Sequence, residues 1–326
     1  MQASKPSHVA VTGATGFVGR CLLRCLAGRS ASVAALARPR PGRTLPASNA
    51  PRWVSGGFDQ PAALADLLRG ADVVIHCAGA TKALRRRDFH TVNVTATARL
   101  VHAAREAGVG HVILLSSLAA SRPLVSDYAA SKAVGEAVAL EQAGDMALTI
   151  LRAPAVIGPG DQATAPLFSM IARGWIPVPG GKPRISRFSV IDVADLAALL
   201  VERALVPPDP GLRPVLAPFG HRAVGWSDLA ASGARITGKP VRELVLPGSL
   251  MTLAATGTDL GARLTGRPQV FSRGKLREMR AGDWIGETPL ETSTPLDVTM
   301  RRCLAPFLGL GNAASDGNNG ADRSRE

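Results

Sequence analysis

Three glycines near the start of the chain, Gly13, Gly16 and Gly19, constrain its fold more than any other feature. They follow a short apolar stretch, residues 8–11, and precede residues 17–26, whose apolar periodicity is helical. In a strand–turn–helix unit the first glycine permits a tight turn, the second lets a pyrophosphate approach the backbone, and the third lets helix and strand pack closely. Since the helix N-terminus adds free N–H groups, the pattern predicts a phosphate-binding cradle.

Strand and helix patterns alternate through residue 152, which predicts a parallel sheet covered by helices on both faces. Ligands of such sheets bind in the crevice at the carboxyl ends of the strands. The predicted strands are 8–11, 32–37, 53–54, 72–77, 111–115 and 147–151, and the predicted helices are 17–26, 61–68, 89–107 and 128–143.

Beyond residue 152 proline and glycine become more frequent, which indicates a change of domain. We expect residues 1–152 to form the main α/β domain, with a segment near 185–203 returning to it. Residues 153–308 would form mainly a smaller α+β substrate-binding domain. Residues 309–326 offer almost nothing to bury and predict a disordered tail.

The composition argues against a membrane-spanning protein and against a disulfide-rich one. No apolar run approaches the ~20 residues that cross a bilayer, and the first predicted strand leaves no room for a signal peptide, so we expect a cytoplasmic protein. The four cysteines predict buried free thiols, and no Cys/His spacing suggests a metal site.

The net charge of +13 suits anionic ligands, such as a phosphorylated cofactor, and equally an acidic membrane surface. An arginine-rich, solvated surface explains it as well. Because no basic helix with interleaved aromatic residues is present, we expect no nucleic-acid partner.

Tyr128 and Lys132 stand at positions i and i+4 of a predicted helix, on one face. A tyrosine of ordinary pKa, ~10, transfers protons poorly at neutral pH, and a lysine cation nearby would lower that pKa. Ser117 ends a predicted strand, where it could polarise a substrate oxygen. Taken alone, Tyr128 and Lys132 are also compatible with an ordinary pair on a helix surface. Ser117 alone is also compatible with a strand-end serine that caps the next segment.

The glycine turn, Ser117 and the pair Tyr128 and Lys132 follow one another along the chain. Taken together in this order, they resemble the extended branch of the short-chain dehydrogenase/reductase superfamily, the NAD(P)-dependent epimerase/dehydratase family. The resemblance covers the chain except its tail, and further matching stretches are Asp72–Gly79, Val92–Val94, Leu151–Asp161 and Ser189–Ala197. It implies a Rossmann-type, doubly wound parallel sheet, with NAD(P) bound by residues 1–152.

The resemblance also implies roles for individual residues. Tyr128 would be the general acid/base, Lys132 would lower its pKa and hold the nicotinamide ribose, and Ser117 would position the substrate oxygen. Asn93 would support the helix behind Lys132. The implied cofactor-binding residues are Gly13, Thr15, Gly16, Phe17, Val18, Gly19, Arg38, Ala78, Gly79, Ala80, Asn93, Lys132, Pro154 and Val156.

The charge pattern favours NADP(H), although NAD(H) also fits the motif. The second strand is followed by Arg38 and carries no carboxylate for a ribose 2′-hydroxyl. Arg38 would pair with a 2′-phosphate, assisted by Arg40 or Arg43.

Three positions depart from the family pattern. Gly57 stands where the family usually has an acidic residue that binds adenine, and Asp59 follows two residues later. Ser117 and Tyr128 are closer in sequence than in sugar-nucleotide epimerases, and Asp192 stands where the family often has histidine.

The expected function is NAD(P)-dependent hydride transfer to or from a carbonyl or a secondary alcohol. The alternatives are a nucleotide-sugar epimerase/dehydratase with tightly bound NAD(P), and a non-catalytic NADP(H)-sensing or assembly protein. The short Ser117–Tyr128 spacing favours a hydrophobic carbonyl or alcohol, and Arg184 and Arg187 favour a nucleotide sugar. The apolar stretch 244–255 predicts either domain core or a pocket for a lipid-like substrate, and a homodimer is compatible with the family.

Overall fold

The fold is organised around a parallel sheet, as a computed structural model shows for residues 8–29, 31–39, 51–180, 187–206 and 208–309. The strands are β1 His8–Thr12, β2 Ser32–Ala37, β3 Arg52–Ser55, β4 Val73–His76, β5 His111–Ser117, β6 Ala147–Ala153, β7 Ala155–Ile157, β8 Trp175–Pro179, β9 Phe188–Asp192, β10 Val215–Leu216, β11 Pro218–Phe219, β12 His221–Val224, β13 Arg242–Leu246 and β14 Thr288–Pro289. The helices are α1 Phe17–Leu26, α2 Pro61–Leu68, α3 Arg86–His90, α4 Ala96–Glu106, α5 Asp127–Gln142, α6 Ala165–Ala172, α7 Val193–Leu205, α8 Trp226–Thr237, α9 Gly248–Thr265, α10 Arg273–Arg280 and α11 Leu296–Leu308.

Seven of the described strands form the main sheet, in the order β3-β2-β1-β4-β5-β6-β10. Every neighbouring pair is parallel. The strand order reverses between β1 and β4, and this switch point opens a crevice at the carboxyl ends of the strands. The predicted fold class, a doubly wound Rossmann-type α/β sheet, is confirmed.

Helices cover both faces of the sheet because alternate strand residues point to opposite sides. On one face, β-strand residues such as Val11 and Ile75 pack with Leu22 of α1 and Leu200 of α7. On the other face, strand residues pack with α2, α4 and α5 in a second buried cluster. α7 thus lies on the main sheet although it follows residue 152.

A third buried cluster lies outside the main sheet and joins α6, α8 and α11, through residues that include Phe168, Leu229 and Met300. Three small sheets accompany it: β12-β9-β7, β13-β8 and β11-β14. The predicted tail, apart from Gly309, lies outside the described residues, as do Arg40, Arg43 and Arg184. All four cysteines are free.

The predicted helix 89–107 differs from the structure in a way that bears on the site. The helical stretch begins earlier, with α3, and widens into a π-helical segment at Thr91–Thr95 before α4. A π-helical segment places one extra residue in a turn and commonly marks a functional position. Here the segment contains Asn93, whose side chain is hydrogen-bonded to the loop after β4.

Asp192 has a defined structural role. It is buried and caps the N-terminus of α7, accepting a hydrogen bond from the Ala194 N–H at 2.7 Å. Its other oxygen accepts a hydrogen bond of 2.6 Å from the Thr299 hydroxyl of α11. One carboxylate therefore ties a helix of the main sheet to the C-terminal helix.

We expect Asp192→Ala to lower the free energy of unfolding by about 2–4 kcal/mol, because it removes a helix cap and leaves the buried Thr299 hydroxyl without its acceptor. Chemical denaturation of the purified variant measures this. Asp145→Ala, at an exposed position, is the control and should change the free energy by less than about 0.5 kcal/mol. An equal effect of the two substitutions would contradict the assigned role.

Candidate active site

The glycine turn forms at the carboxyl end of β1, next to the backbone that follows β4. Gly13 has φ +70°, and a Cβ there would lie 2.4 Å from the Ala78 nitrogen. A Cβ on Gly19 would lie 2.1 Å from the Gly13 carbonyl oxygen. Both positions therefore require glycine. Gly16 precedes α1 in an extended conformation with no side-chain cap, so N–H groups of the first turn, which includes Phe17 and Val18, remain available.

Arg38 follows β2 directly and is exposed, so it lies at the same edge of the sheet as the glycine turn. Close to it is Gly57, where the family pattern would have an acidic side chain. The Asp59 carboxylate folds back over Gly57, because a Cβ built on Gly57 would lie 2.5 Å from Asp59 Oδ1 and 4.0 Å from Arg38 Cγ. The carboxylate of Asp59 thus occupies the space that a side chain at position 57 would take.

Ser117 and Tyr128 meet although they lie on different elements. Ser117 is the last residue of β5, and Tyr128 lies in the first turn of α5. The Ser117 hydroxyl lies close enough to the Tyr128 phenol to influence its pKa. Ser117 Oγ also accepts from the Ala119 N–H at 3.2 Å, which leaves the serine proton free to be donated.

The pKa of Tyr128 is raised to about 12, chiefly because the phenol is surrounded by protein. The nearby Ser117 hydroxyl lowers the pKa and the charge of Glu278 raises it further, and burial has the largest effect. The sequence led us to expect a pKa lowered by Lys132. In the structure the lowering contribution comes from Ser117, and Tyr128 is a neutral phenol at physiological pH.

Lys132 lies one turn beyond Tyr128 and is buried. Its Nζ donates a hydrogen bond of 2.8 Å to the Leu115 carbonyl, which fixes the side chain against β5 and leaves two N–H donors. Burial lowers the pKa of Lys132 to about 8, and the charge of Glu136 opposes this shift. The ammonium group is therefore the main form at neutral pH.

Asn93 connects the loop after β4 to α5. Its Oδ1 accepts from the Ala80 N–H at 2.7 Å, and its Nδ2 donates to the Ala80 carbonyl at 3.0 Å and to Ser131 Oγ at 2.8 Å. The Asn93 carbonyl packs against Gly135, where a Cβ would lie 2.4 Å away. The π-helical turn brings Asn93 to this position. Because its amide is occupied by protein groups, Asn93 acts on the cofactor site by positioning Ala80.

The remaining predicted cofactor residues line the same edge. Gly79 faces Asn93 and Lys132, since a Cβ there would lie 3.8 Å from Lys132 Nζ. Ser117 pairs with Ala153 in the sheet, so Pro154 begins the next segment directly beside Ser117, and Val156 lies in β7. Thr15 is in the glycine turn, where its carbonyl accepts from Arg20 at 2.9 Å.

Two buried glutamates lie in this region, and neither was predicted from the sequence as a site residue. Glu136 accepts from Ser116, forms an ion pair of 2.6 Å with Arg152, and lies one turn beyond Lys132. The i, i+4 spacing of Lys132 and Glu136 is a sequence signal that could have indicated Glu136 as a site residue. Glu278 of α10 accepts a hydrogen bond of 2.5 Å from Ser126, the N-cap of α5. No local pattern could indicate a partner so far along the chain.

The arrangement fits a nicotinamide dinucleotide. The turn at Gly13 and Gly19 leaves no room for side chains but exposes N–H groups, and Gly79 leaves open space beside the Lys132 ammonium. Among the described residues no cluster of three or more His, Cys, Asp or Glu could hold a metal ion. Across the same described ranges, no helix is long and apolar enough to cross a membrane.

Comparison with known proteins decides the family. The model of the NAD dependent epimerase/dehydratase family matches residues 9–209. The chain belongs to this family. The ceramide reductase of Caulobacter vibrioides is 37% identical over 88% of this chain and 89% of that protein. The family resemblance read from the sequence is therefore confirmed, and the chain is an NAD(P)-dependent enzyme of the oxidoreductase type.

Other members of the epimerase/dehydratase family extend the comparison. The 2-alkyl-3-oxoalkanoate reductase of Stenotrophomonas maltophilia is 29% identical over 73% of each chain. The structure of UDP-glucuronic acid 4-epimerase from Bacillus cereus in complex with NAD has a TM-score of 0.67 at 18% identity, covering 93% of this chain and 98% of that one. The family thus includes proteins named as reductases and as epimerases, and this structural likeness concerns the fold.

The only tyrosine of the chain is Tyr128, so tyrosinate absorbance reports its ionisation directly. We expect Glu278→Gln to move the onset of ionisation to lower pH, because a negative charge that disfavours the phenolate is removed. Ser117→Ala should move it to higher pH, because a nearby hydroxyl that favours the phenolate is lost. Circular dichroism at each pH verifies folding. Glu291→Gln, at an exposed site, should match the unmodified protein, and identical curves for all variants would contradict these contacts.

Proposed function

We propose that this enzyme reduces a ketone on a lipid of ceramide type to a secondary alcohol, with NADPH as the reductant. The observation that carries the reaction type is the proximity of the Ser117 and Tyr128 hydroxyl groups, one helical turn from the buried Lys132. The lipid class rests on the near full-length similarity to a ceramide reductase. The name of a second relative, 2-alkyl-3-oxoalkanoate reductase, also describes an oxo group on an alkyl chain.

The residues divide the chemistry of carbonyl reduction. A bound nicotinamide supplies the hydride, which adds to the carbonyl carbon. Ser117 donates a hydrogen bond to the carbonyl oxygen and holds it next to the Tyr128 hydroxyl. Tyr128 gives its proton to that oxygen as negative charge develops there, and the product is the neutral alcohol. The phenolate that remains takes a proton from solvent, and the Lys132 ammonium would hold the nicotinamide ribose beside it.

The raised pKa of Tyr128 supports the reductive direction. A group that remains a neutral phenol at physiological pH is in the form that donates a proton. Oxidation of an alcohol requires the phenolate, which the free protein disfavours. The free protein thus presents Tyr128 in the protonated form that carbonyl reduction uses.

Two features speak against a nucleotide sugar as substrate. Arg187, which we considered as a partner for a diphosphate, donates to the Ala223 carbonyl at 2.9 Å and lies 3.8 Å from an Asp228 oxygen. Its charge is thus already engaged by the protein. The connection from Ser117 to Tyr128 is short and includes the almost fully exposed Leu124, which suits an apolar substrate better than a sugar.

The preference for NADP(H) rests on Arg38, which is the first residue after β2 and has the charge to bind a 2′-phosphate. The cytoplasmic location and the homodimer stay predictions from the sequence and the family.

We expect Tyr128→Phe to lower kcat/KM by about 10²–10⁴-fold, because the proton donor is lost while the ring and its packing on Phe89 are kept. A dispersed short-chain ceramide analogue with a ketone is the substrate, and NADPH oxidation is followed. Ser121→Ala, a nearby hydroxyl bonded to the Leu118 carbonyl, is the control and should retain activity. Full activity of Tyr128→Phe would refute the proposal, as would epimerisation of a nucleotide sugar with no net oxidation of NADPH.

Arg38→Ala should raise KM for NADPH by about 10–100-fold, or about 1.4–2.7 kcal/mol, because the 2′-phosphate loses its cationic partner. KM for NADH should change by less than about 3-fold. Arg29→Ala, at an exposed position between α1 and β2 and therefore at the opposite edge of the sheet, is the matched control. An equal effect of Arg38→Ala on both cofactors would show that Arg38 does not read the 2′-phosphate.

A further inference from the structure

The helices α9 and α10 form a hairpin with a very small core of its own. Met251 and Ala255 of α9 pack on Leu276 of α10, with few other apolar side chains around them. Hydrogen bonds complete the pairing, including those from the Arg280 guanidinium to the Gly248 carbonyl and to the Thr252 hydroxyl. Most of the α9 surface is left uncovered.

The uncovered side of α9 carries leucines on one face. Leu250, Leu253, Leu260 and Leu264 are 50%, 70%, 58% and 80% exposed. At 100° per residue they fall within about 80° of arc, on the side of the helix opposite to the buried Met251. A water-exposed helix normally has polar residues in these positions.

Two exposed apolar side chains also lie on the preceding strand. Leu244 and Val245 of β13 are 49% and 63% exposed, and only Pro247 separates the strand from α9. We call the four residues of α9, Leu250, Leu253, Leu260 and Leu264, the leucine surface. The stretch 244–255, predicted as domain core or pocket wall, is therefore largely exposed. Contiguous apolar patches of this kind mark interaction sites.

Basic side chains are frequent in the segment that carries the leucine surface. Residues 239–280 contain eight Lys and Arg against three Asp and Glu, a net charge of +5. All eight cations are exposed: Lys239, Arg242, Arg263, Arg267, Arg273, Lys275, Arg277 and Arg280. Of the three acids, Glu278 is buried against Lys275, Asp259 pairs with Arg273 and Glu243 is exposed, so exposed cations outnumber exposed acids in this segment.

The same hairpin contacts the candidate active site. Glu278 of α10 accepts a hydrogen bond from Ser126, two residues before Tyr128. A Cβ on Gly274 would lie 3.6 Å from the Ser126 Cβ, so the start of α10 packs directly on the start of α5. The hairpin that carries the leucine surface is therefore joined directly to the helix that carries Tyr128.

We propose that the leucine surface is a docking site for an anionic lipid bilayer. Leucines would enter the acyl region, and the arginines and lysines of the same segment would bind the anionic headgroups, which is the pattern of helices that lie in the membrane interface. A lipid ketone could then pass from the bilayer to Tyr128 without crossing water. That last step rests on the proposed function, whereas docking itself does not.

The charge favours a bilayer over a second copy of the chain. A two-fold dimer across α9 would place each surface against its own equivalent. The six cations of one hairpin, which exclude Lys239 and Arg242, would then approach those of the other, and such like-charge contacts oppose association. An anionic surface is complementary to the same groups.

Sedimentation with vesicles of phosphatidylglycerol and phosphatidylcholine tests the proposal. We expect the full chain to bind these vesicles and to bind pure phosphatidylcholine vesicles far less. Leu253→Gln combined with Leu264→Gln should weaken binding by at least about 10-fold, while NADPH-dependent reduction of a soluble analogue is unchanged. Leu212→Gln combined with Val206→Gln, at exposed apolar positions outside the hairpin, is the matched control and should bind like the unmodified protein.

A charge variant and a mass measurement complete the test. Arg263→Gln combined with Arg267→Gln should weaken binding to the anionic vesicles only, and added salt should reduce the difference. Unmodified binding by the leucine variant, or no binding by the unmodified chain, would overturn the proposal. A dimer that the leucine variant converts to monomer, with no change in vesicle binding, would assign the surface to a second copy instead. Vesicle binding without reduction of any lipid ketone would refute the proposed function and leave docking intact.

Discussion

The two-way hydrogen bonding between Asn93 and the backbone of Ala80 is the contact on which the site geometry depends. It fixes the loop that follows β4, and through Ser131 and the close approach to Gly135 it fixes that loop relative to α5. α5 in turn carries the tyrosine and the lysine. A single amide therefore links the loop predicted to bind the cofactor to the helix that carries the residues predicted to move the proton. The π-helical turn is the local distortion that allows it.

Much of the framework follows from local patterns in the chain. Residues 17–26, 32–37 and 61–68 have the same bounds in the structure as in the prediction, because apolar periodicity and flanking glycine or proline specify them. The helix predicted at 89–107 was wrong in detail. The π-helical turn accompanies contacts of Asn93 with Ala80 and Gly135, and the local propensities of residues 91–95 do not predict such contacts.

The electrostatics of the site was the less predictable part. The i, i+4 spacing of Tyr128 and Lys132 was read as a direct effect of the cation on the phenol, but a spacing does not say where an ammonium points. In the structure it points to the Leu115 carbonyl, and burial dominates the pKa of the tyrosine. Glu278 comes from α10, which only tertiary packing brings to Ser126. Glu278, which connects the candidate site to the α9–α10 hairpin, therefore has no signal in the local sequence that would predict this contact.

Under the proposed function, a neutral Tyr128 and a bound nicotinamide together reduce a lipid ketone. NADPH that carries two deuterium atoms on the reactive nicotinamide carbon tests this reaction, with mass spectrometry of the product. We expect one deuterium on the new carbinol carbon of a ceramide-type alcohol and one oxidised NADP⁺ for each product molecule. Unlabelled product, or a nucleotide sugar epimerised with no net oxidation of the cofactor, would contradict it.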